Sequence, residues 1–192
     1  MQDEAGAPLT ADHPTPSTPA PEPSGGRRRL YAVLLGLAAA TLVADQLSKI
    51  WALAALTPGE PVEVIGSWIS LTLLRNPGAA FSIGDGSTWV LTLVSLAILG
   101  WVLVGARKVG NMPWAIALGL LLGGALGNLV DRFAREPGIG RGHVVDFINY
   151  FGWFVGNVAD IAIVVAAGLI MVLTYRGTSI AGPVHHPEHA DD

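Results

Sequence analysis

Residues 114–132 read WAIALGLLLGGALGNLVDR, and this stretch decides the fold. Residues 114–130 are apolar or small except for Asn128, and their length is what an α-helix needs to cross a hydrocarbon core, about 17–25 residues. The run then closes on Asn128, Asp131 and Arg132. Gly124, Asn128 and Asp131 are spaced i, i+4, i+7 and share one helix stripe. Gly119, Gly123 and Gly127 form a small-xxx-small ridge beside it, which lets another helix approach closely. The stretch therefore predicts a membrane-spanning helix with a packed glycine face and a polar end.

Working outward, three more apolar runs appear. Residues 30–44 are apolar or small apart from Thr41, and the apolar character resumes at 50–53 after Lys49. Residues 89–106 and 157–175 complete the set. Backbone groups in lipid must be satisfied within the segment, so helices are expected. Trp51, Trp89, Trp114 and Tyr175 stand near the predicted ends, as interfacial aromatics do. The first run, preceded by Arg27, Arg28 and Arg29, has some features of a cleavable signal peptide, but the later spans favour a signal anchor. Composition agrees with four spans: 51% of residues are hydrophobic and 14% charged, with a mean hydropathy of +0.50. A soluble domain carries about 25% charge.

The formal charge of −4 says little about the spans, because many of the acids lie in the two tails. No basic stripe interleaves with aromatics, so a nucleic-acid partner is not expected. The absence of cysteine excludes thiol catalysis and disulfides. Residues 1–29 form a Pro-rich tail, expected to be disordered, that ends in the basic cluster. Residues 30–176 form the four-span domain, and 177–192 a flexible tail. Arg27–Arg29, Arg107, Lys108 and Arg176 outnumber Arg75, Arg132, Arg135 and Arg141, which places both termini in the cytoplasm. The outer loops are then 57–88 and 132–156. In the first, Ile69, Leu71 and Leu73 alternate with Ser70 and Thr72, which predicts a short surface strand. In the second, a Gly/Pro turn precedes Val144-Val145-Asp146-Phe147-Ile148, read as an apolar interfacial loop segment.

This topology brings polar residues from distant sequence to one depth. Asp45 and Lys49, spaced i, i+4, lie late in the first span. Asn128, Asp131 and Arg132 end the third, Asn157 and Asp160 open the fourth, and Asp146 lies in the loop between. Ionisable residues within spans mark function. Some bland readings stand beside this. Asp45–Lys49 is equally an ion pair near a helix end, Asp131–Arg132 a solvated terminus, and the glycine ridge simple packing. Asp160 is harder to dismiss, since a long apolar run follows it. Ser48 and Lys49 are adjacent and point in different directions, which argues against a Ser–Lys pair. His143 is the only histidine outside the tails, so no Ser/His/Asp triad and no histidine-rich metal site is evident; His185, His186 and His189 lie in the flexible tail. Two aspartates sharing a proton, one activating water and the other donating, remain.

Five ordered blocks carry a resemblance. They are Asp45-Gln46-Leu47-Ser48-Lys49; Asn76-Pro77-Gly78-Ala79-Ala80-Phe81-Ser82; residues 123–132, GGALGNLVDR; Val144-Val145-Asp146-Phe147; and Asn157-Val158-Ala159-Asp160. Over residues 30–175 the chain resembles the lipoprotein signal peptidases, or signal peptidase II, which are bacterial inner-membrane aspartic proteases. The resemblance implies that Asp146 and Asp160 are the catalytic pair. It also implies that Asp45, Lys49, Asn76, Gly124, Asn128, Arg132 and Asn157 support the site or the substrate. The implied substrate is a prolipoprotein, cut just before a cysteine that carries a diacylglyceryl group. Membrane lipids are the implied surroundings, globomycin the implied inhibitor, and no cofactor or metal is implied. Two departures stand out. Gly156 replaces a usual Phe, which bears on local packing, and the stretch between Arg132 and Asp146 is longer than usual, which bears on the loop's shape.

The expected fold is therefore an all-α membrane protein: four transmembrane helices, a small extracytoplasmic β element and an interfacial loop. Its rivals are a proton-coupled transporter or channel subunit using the same acids as a relay, and a non-catalytic membrane scaffold.

Overall fold

The structure is a computed structural model that describes residues 24–78 and 88–182. Four helices are long and apolar enough to cross a membrane. They are α1 (Ser24–Ala55), α2 (Thr88–Ala106), α3 (Met112–Ala134) and α4 (Val158–Tyr175). Four strands complete the described residues: β1 (Val62–Ile65), β2 (Ile69–Asn76), β3 (Val144–Tyr150) and β4 (Phe154–Gly156). The expected class holds, with two additions described below. Most of the tail expected at 1–29 lies outside the described residues, as do residues 79–87 and 183–192.

α3 is the axis of the bundle, packed against α1, α4 and α2, and it is buried along most of its length. The glycine ridge explains how. A Cβ on Gly119 would stand 2.8 Å from the Leu34 carbonyl oxygen, and one on Gly123 would stand 2.6 Å from that of Ala38. One on Gly127 would stand 2.5 Å from a carboxylate oxygen of Asp45. The helix that the ridge admits is therefore α1. Gly124, one residue round, faces α4 instead, 2.7 Å from the Ala159 carbonyl oxygen by the same construction. Leu34, Ala38, Val102, Leu118, Leu122 and Ala166 fill the remaining core. Leu35, Ile50, Trp101, Val164 and Met171 are exposed on the outer flanks of α1, α2 and α4, where lipid is the natural solvent.

α1 has 32 residues, about 48 Å at 1.5 Å per residue. That exceeds a hydrocarbon core of about 30 Å, so the helix continues through the Arg27–Arg29 cluster. At the other end of α4, the segment beyond Tyr175 is latched to the α2–α3 connection and the first turn of α3. The Gly110 N–H donates to the Ile180 carbonyl at 2.8 Å, and the Trp114 indole N–H to that of Thr178 at 2.9 Å. The described part of the expected 177–192 tail is thus tied down by backbone and side-chain bonds.

The β element is larger than the expected single strand. All four strands pair antiparallel in the order β1-β2-β3-β4, with Leu74 opposite Asp146 and Asn76 opposite Val144. The segment read as an interfacial loop is therefore the strand β3. It hid because residues 144–147 are all buried, so no polar/apolar alternation marks it. β1 hid for the opposite reason, since all four of its residues are exposed.

Candidate active site

The polar residues meet where α1, α3 and α4 lie beside β2 and β3. Lys49 sits at the base, wholly buried, with its ammonium 2.8 Å from Asp45 Oδ2 and 2.8 Å from Asp131 Oδ2. Both carboxylates are themselves wholly buried. A lone buried charge is expensive, and the opposite charges and hydrogen bonds here offset that cost. The third donor position of Lys49 reaches Asn128 Oδ1 at 3.0 Å, which fixes how the Asn128 amide faces. Its NH2 then donates to Asp160 Oδ1 at 2.9 Å.

Asn157 closes the arrangement. It is the N-cap of α4, and with Asp160 it forms a reciprocal capping box. The Asp160 N–H donates to Asn157 Oδ1 at 3.0 Å, and the Asn157 N–H donates to Asp160 Oδ2 at 3.1 Å. The Asn157 amide N–H2 donates to Asp146 Oδ1 at 2.6 Å and to Asn128 Oδ1 at 3.2 Å. Asn76, paired across from β3, donates to the other Asp146 oxygen at 2.8 Å. One residue thus contacts both candidate acids. Burial, the largest influence, pushes the Asp146 carboxyl up to about 6; the amides of Asn76 and Asn157 pull it back, and the charge of Asp160 pushes it further up. Asp146 is 2% exposed, while Asp160 is only half-buried and is the more open of the two.

Eight of the nine residues singled out in the sequence lie in this network. Asp45 also accepts the Ala159 N–H at 2.9 Å, tying α1 to the first turn of α4. Arg132 donates to the Gly142 carbonyl at 3.0 Å and, at 3.4 Å, to the carbonyls of Asn76 and Pro77, so it holds the β2 end. Gly124 is the exception: it is the α3–α4 packing contact and touches neither acid. The reading of Asp131 and Arg132 as a solvated terminus does not hold, because both are buried. Ser48 donates to the Asp45 carbonyl at 2.8 Å and is engaged within its own helix.

Two residues were undervalued by sequence reasoning. Asp131 Oδ2 accepts the Val145 N–H at 3.1 Å, next to Asp146 in the chain, and Oδ1 accepts from Arg135 Nε at 2.6 Å. Its position on the Gly124–Asn128 stripe was the available signal. Gln46 donates to Asp45 Oδ2 at 3.1 Å and to the Gly127 carbonyl at 3.0 Å; only its place beside Asp45 pointed to it. The two departures from the expected pattern also find their place. A Cβ on Gly156 would stand 2.7 Å from the Phe154 ring and 3.0 Å from Asp160 Oδ2, so glycine lets that ring pack beside the acid. The long turn after α3 folds back so that the Gly142 N–H donates to the Arg132 carbonyl at 3.0 Å.

Fold and cluster together define a multi-pass membrane protein with a buried carboxylate–amide site fed from three helices and a sheet. A family model described as signal peptidase (SPase) II matches residues 37–176. The lipoprotein signal peptidase of Rhodococcus jostii is 51% identical over 166 residues, covering 86% of this chain and 82% of that one. That of Mycolicibacterium smegmatis is 46% identical over 177 residues, covering 92% and 74%. A solved bacterial membrane enzyme superposes with a TM-score of 0.67 at 27% identity, covering 77% of this chain and 95% of its own. The chain belongs to the signal peptidase II family. It is a peptidase, and a multi-pass protein of a bacterial membrane.

Proposed function

We propose that the chain is an aspartic endopeptidase that removes signal peptides from prolipoproteins, cutting before a diacylglyceryl-modified cysteine, with Asp146 and Asp160 as the catalytic pair. The observation that carries this reading is Asn157, whose side chain donates to Asp146 and whose backbone N–H donates to Asp160. Two carboxylates held around one residue repel when both are charged, so the pair retains one proton between them near neutral pH. The ionised member takes a proton from water as that water attacks the scissile carbonyl. The protonated member stabilises the developing oxyanion and then protonates the leaving amine, with no covalent intermediate.

The other residues keep the pair in place. Asn128 relays the Lys49 charge to Asp160, Asn76 orients Asp146, and Asp45 and Asp131 neutralise Lys49. The site lies at one end of the spans, level with the sheet, where the cleavage point of a lipid-anchored substrate stays within reach while its acyl chains remain in the bilayer. In this reading both termini are cytoplasmic, the domain spans 30–176, surrounding lipid is a partner, and globomycin is an inhibitor. Neither the family nor the fold supports the transporter reading. The test is cleavage of a lipidated prolipoprotein by purified protein. Asp146→Asn and Asp160→Asn should each abolish most turnover, and the double variant should lose little more. Near-normal turnover in either single variant refutes the assignment.

A further inference from the structure

At the end of the bundle opposite the acids, an open cavity of about 930 Å3 lies between the start of α1 and the α2–α3 connection. Its walls include Arg27, Arg29, Leu30, Arg107, Lys108 and Val109. We propose that this cavity binds the phosphate headgroup of an anionic phospholipid.

The cations come from two segments that are far apart in sequence, and the fold fixes them together. Arg27 Nη2 donates to the Arg107 carbonyl at 2.5 Å, and the Tyr31 hydroxyl donates to the same oxygen at 3.3 Å. The Arg27 guanidinium also lies over the Tyr31 ring, 5.9 Å from its centroid. Among the described residues, the salt bridges are those of Lys49 and Arg135, so none of these four cations has a carboxylate partner there. Four clustered positive charges repel one another, and an anion seated between them relieves that repulsion.

Depth and lining select a lipid over a soluble anion. Leu30 lies nineteen residues before Lys49 on α1, about 28 Å along the axis. That is close to the thickness of the hydrocarbon core, about 30 Å, so the cavity lies at headgroup level when the acids lie at the other face. Leu30, Val109 and Met112 add apolar groups to the same lining. The far wall is held by the Asn111 amide on the Ser179 carbonyl, at 2.8 Å, and by the Gly110–Ile180 backbone bond. A headgroup with its first acyl carbons matches a lining that is both cationic and apolar; inorganic phosphate would use the cations alone.

The full-length chain in a neutral maltoside detergent is titrated with dioctanoyl phosphatidylglycerol, dioctanoyl phosphatidylcholine or inorganic phosphate, with thermal unfolding as the readout. Phosphatidylglycerol should raise the Tm in a saturable way, and the other two should not at equal concentration. A basic residue near an anionic lipid contributes about fivefold in affinity, so Arg29→Gln, Arg107→Gln and Lys108→Gln together should weaken binding on the order of 100-fold. Arg141→Gln, an exposed arginine in the turn after α3, should bind as the native chain does. Four outcomes overturn the proposal: no saturable response, an equal response to phosphatidylcholine or phosphate, an unchanged affinity in the triple variant, or an equal loss in Arg141→Gln.

Discussion

Asp146→Asn tests the electrostatics of the site through stability as well as through catalysis. Burial raises the Asp146 carboxyl to about 6 from an ordinary 3.8, which corresponds to about 3 kcal/mol between its two protonation states. Below the ordinary value the carboxyl is protonated in both folded and unfolded chains, and it costs nothing. Between the two values the folded state keeps a proton that the unfolded chain has released, so stability falls as pH rises. Above about 6 the full cost is present. Asparagine removes this pH-dependent cost but adds a constant one. Asp146 accepts from the amides of both Asn76 and Asn157, and the new NH2 group must face one of those donors. A buried donor left without an acceptor costs about 1–3 kcal/mol. The variant should thus be less stable than the native chain near about pH 3, and equal to it or more stable near about pH 8. The difference between the two proteins should shift by about 3 kcal/mol across that range. Unfolding in detergent, followed at both pH values, measures it. Parallel stability curves would refute the claim that burial holds a proton on Asp146 in the folded chain.

Lys49→Met leaves Asp45 and Asp131 facing each other without their shared cation, and should destabilise by about 3–5 kcal/mol. A double-mutant cycle with Asp45→Asn should show strong coupling, and additive effects would dissolve the network. Asp131→Asn should keep far more turnover than the Asp146 and Asp160 variants, which lose most of theirs, because Asp131 acts through the Val145 N–H and Lys49; steady-state assays distinguish the two. Gly123→Ala should destabilise by about 1–3 kcal/mol, since its Cβ would stand 2.6 Å from the Ala38 carbonyl oxygen. Gly168→Ala, with open space around it, should be near neutral in the same unfolding assay. The chain has no cysteine, so single cysteines at the exposed positions Ser67 and Glu136 give unambiguous labelling; both should react with an impermeant thiol reagent from outside the cell. Reaction only from the cytoplasmic side would invert the proposed orientation.

The four spans, their polar ends and the grouping of acids at one depth were legible in the amino-acid order. Each follows from a local rule: a hydrocarbon core needs a set length of apolar helix, and charges in such a helix collect where they can be paired. The glycine ridge was legible as a close approach, because its spacing alone puts three bare positions on one face. Which helix fills that face was not. Only the packed bundle shows α1 on Gly119, Gly123 and Gly127, and α4 on Gly124. The strand β3 escaped for a related reason: its first four residues, 144–147, are all buried, so the alternation that betrays a half-exposed strand does not arise there. Asp131 reads in sequence as the end of a helix in water; its pairing with Arg135 is local, but its contacts with Lys49 of α1 and the Val145 N–H of β3 exist only once those elements pack around it. Sequence thus determined which segments enter the membrane and which polar groups travel with them, since both depend on neighbours along the chain. Tertiary structure alone decided which oxygen meets which amide, because those contacts join positions up to 114 residues apart, as Asp45 and Ala159 are, and their geometry is set by helix packing and strand register.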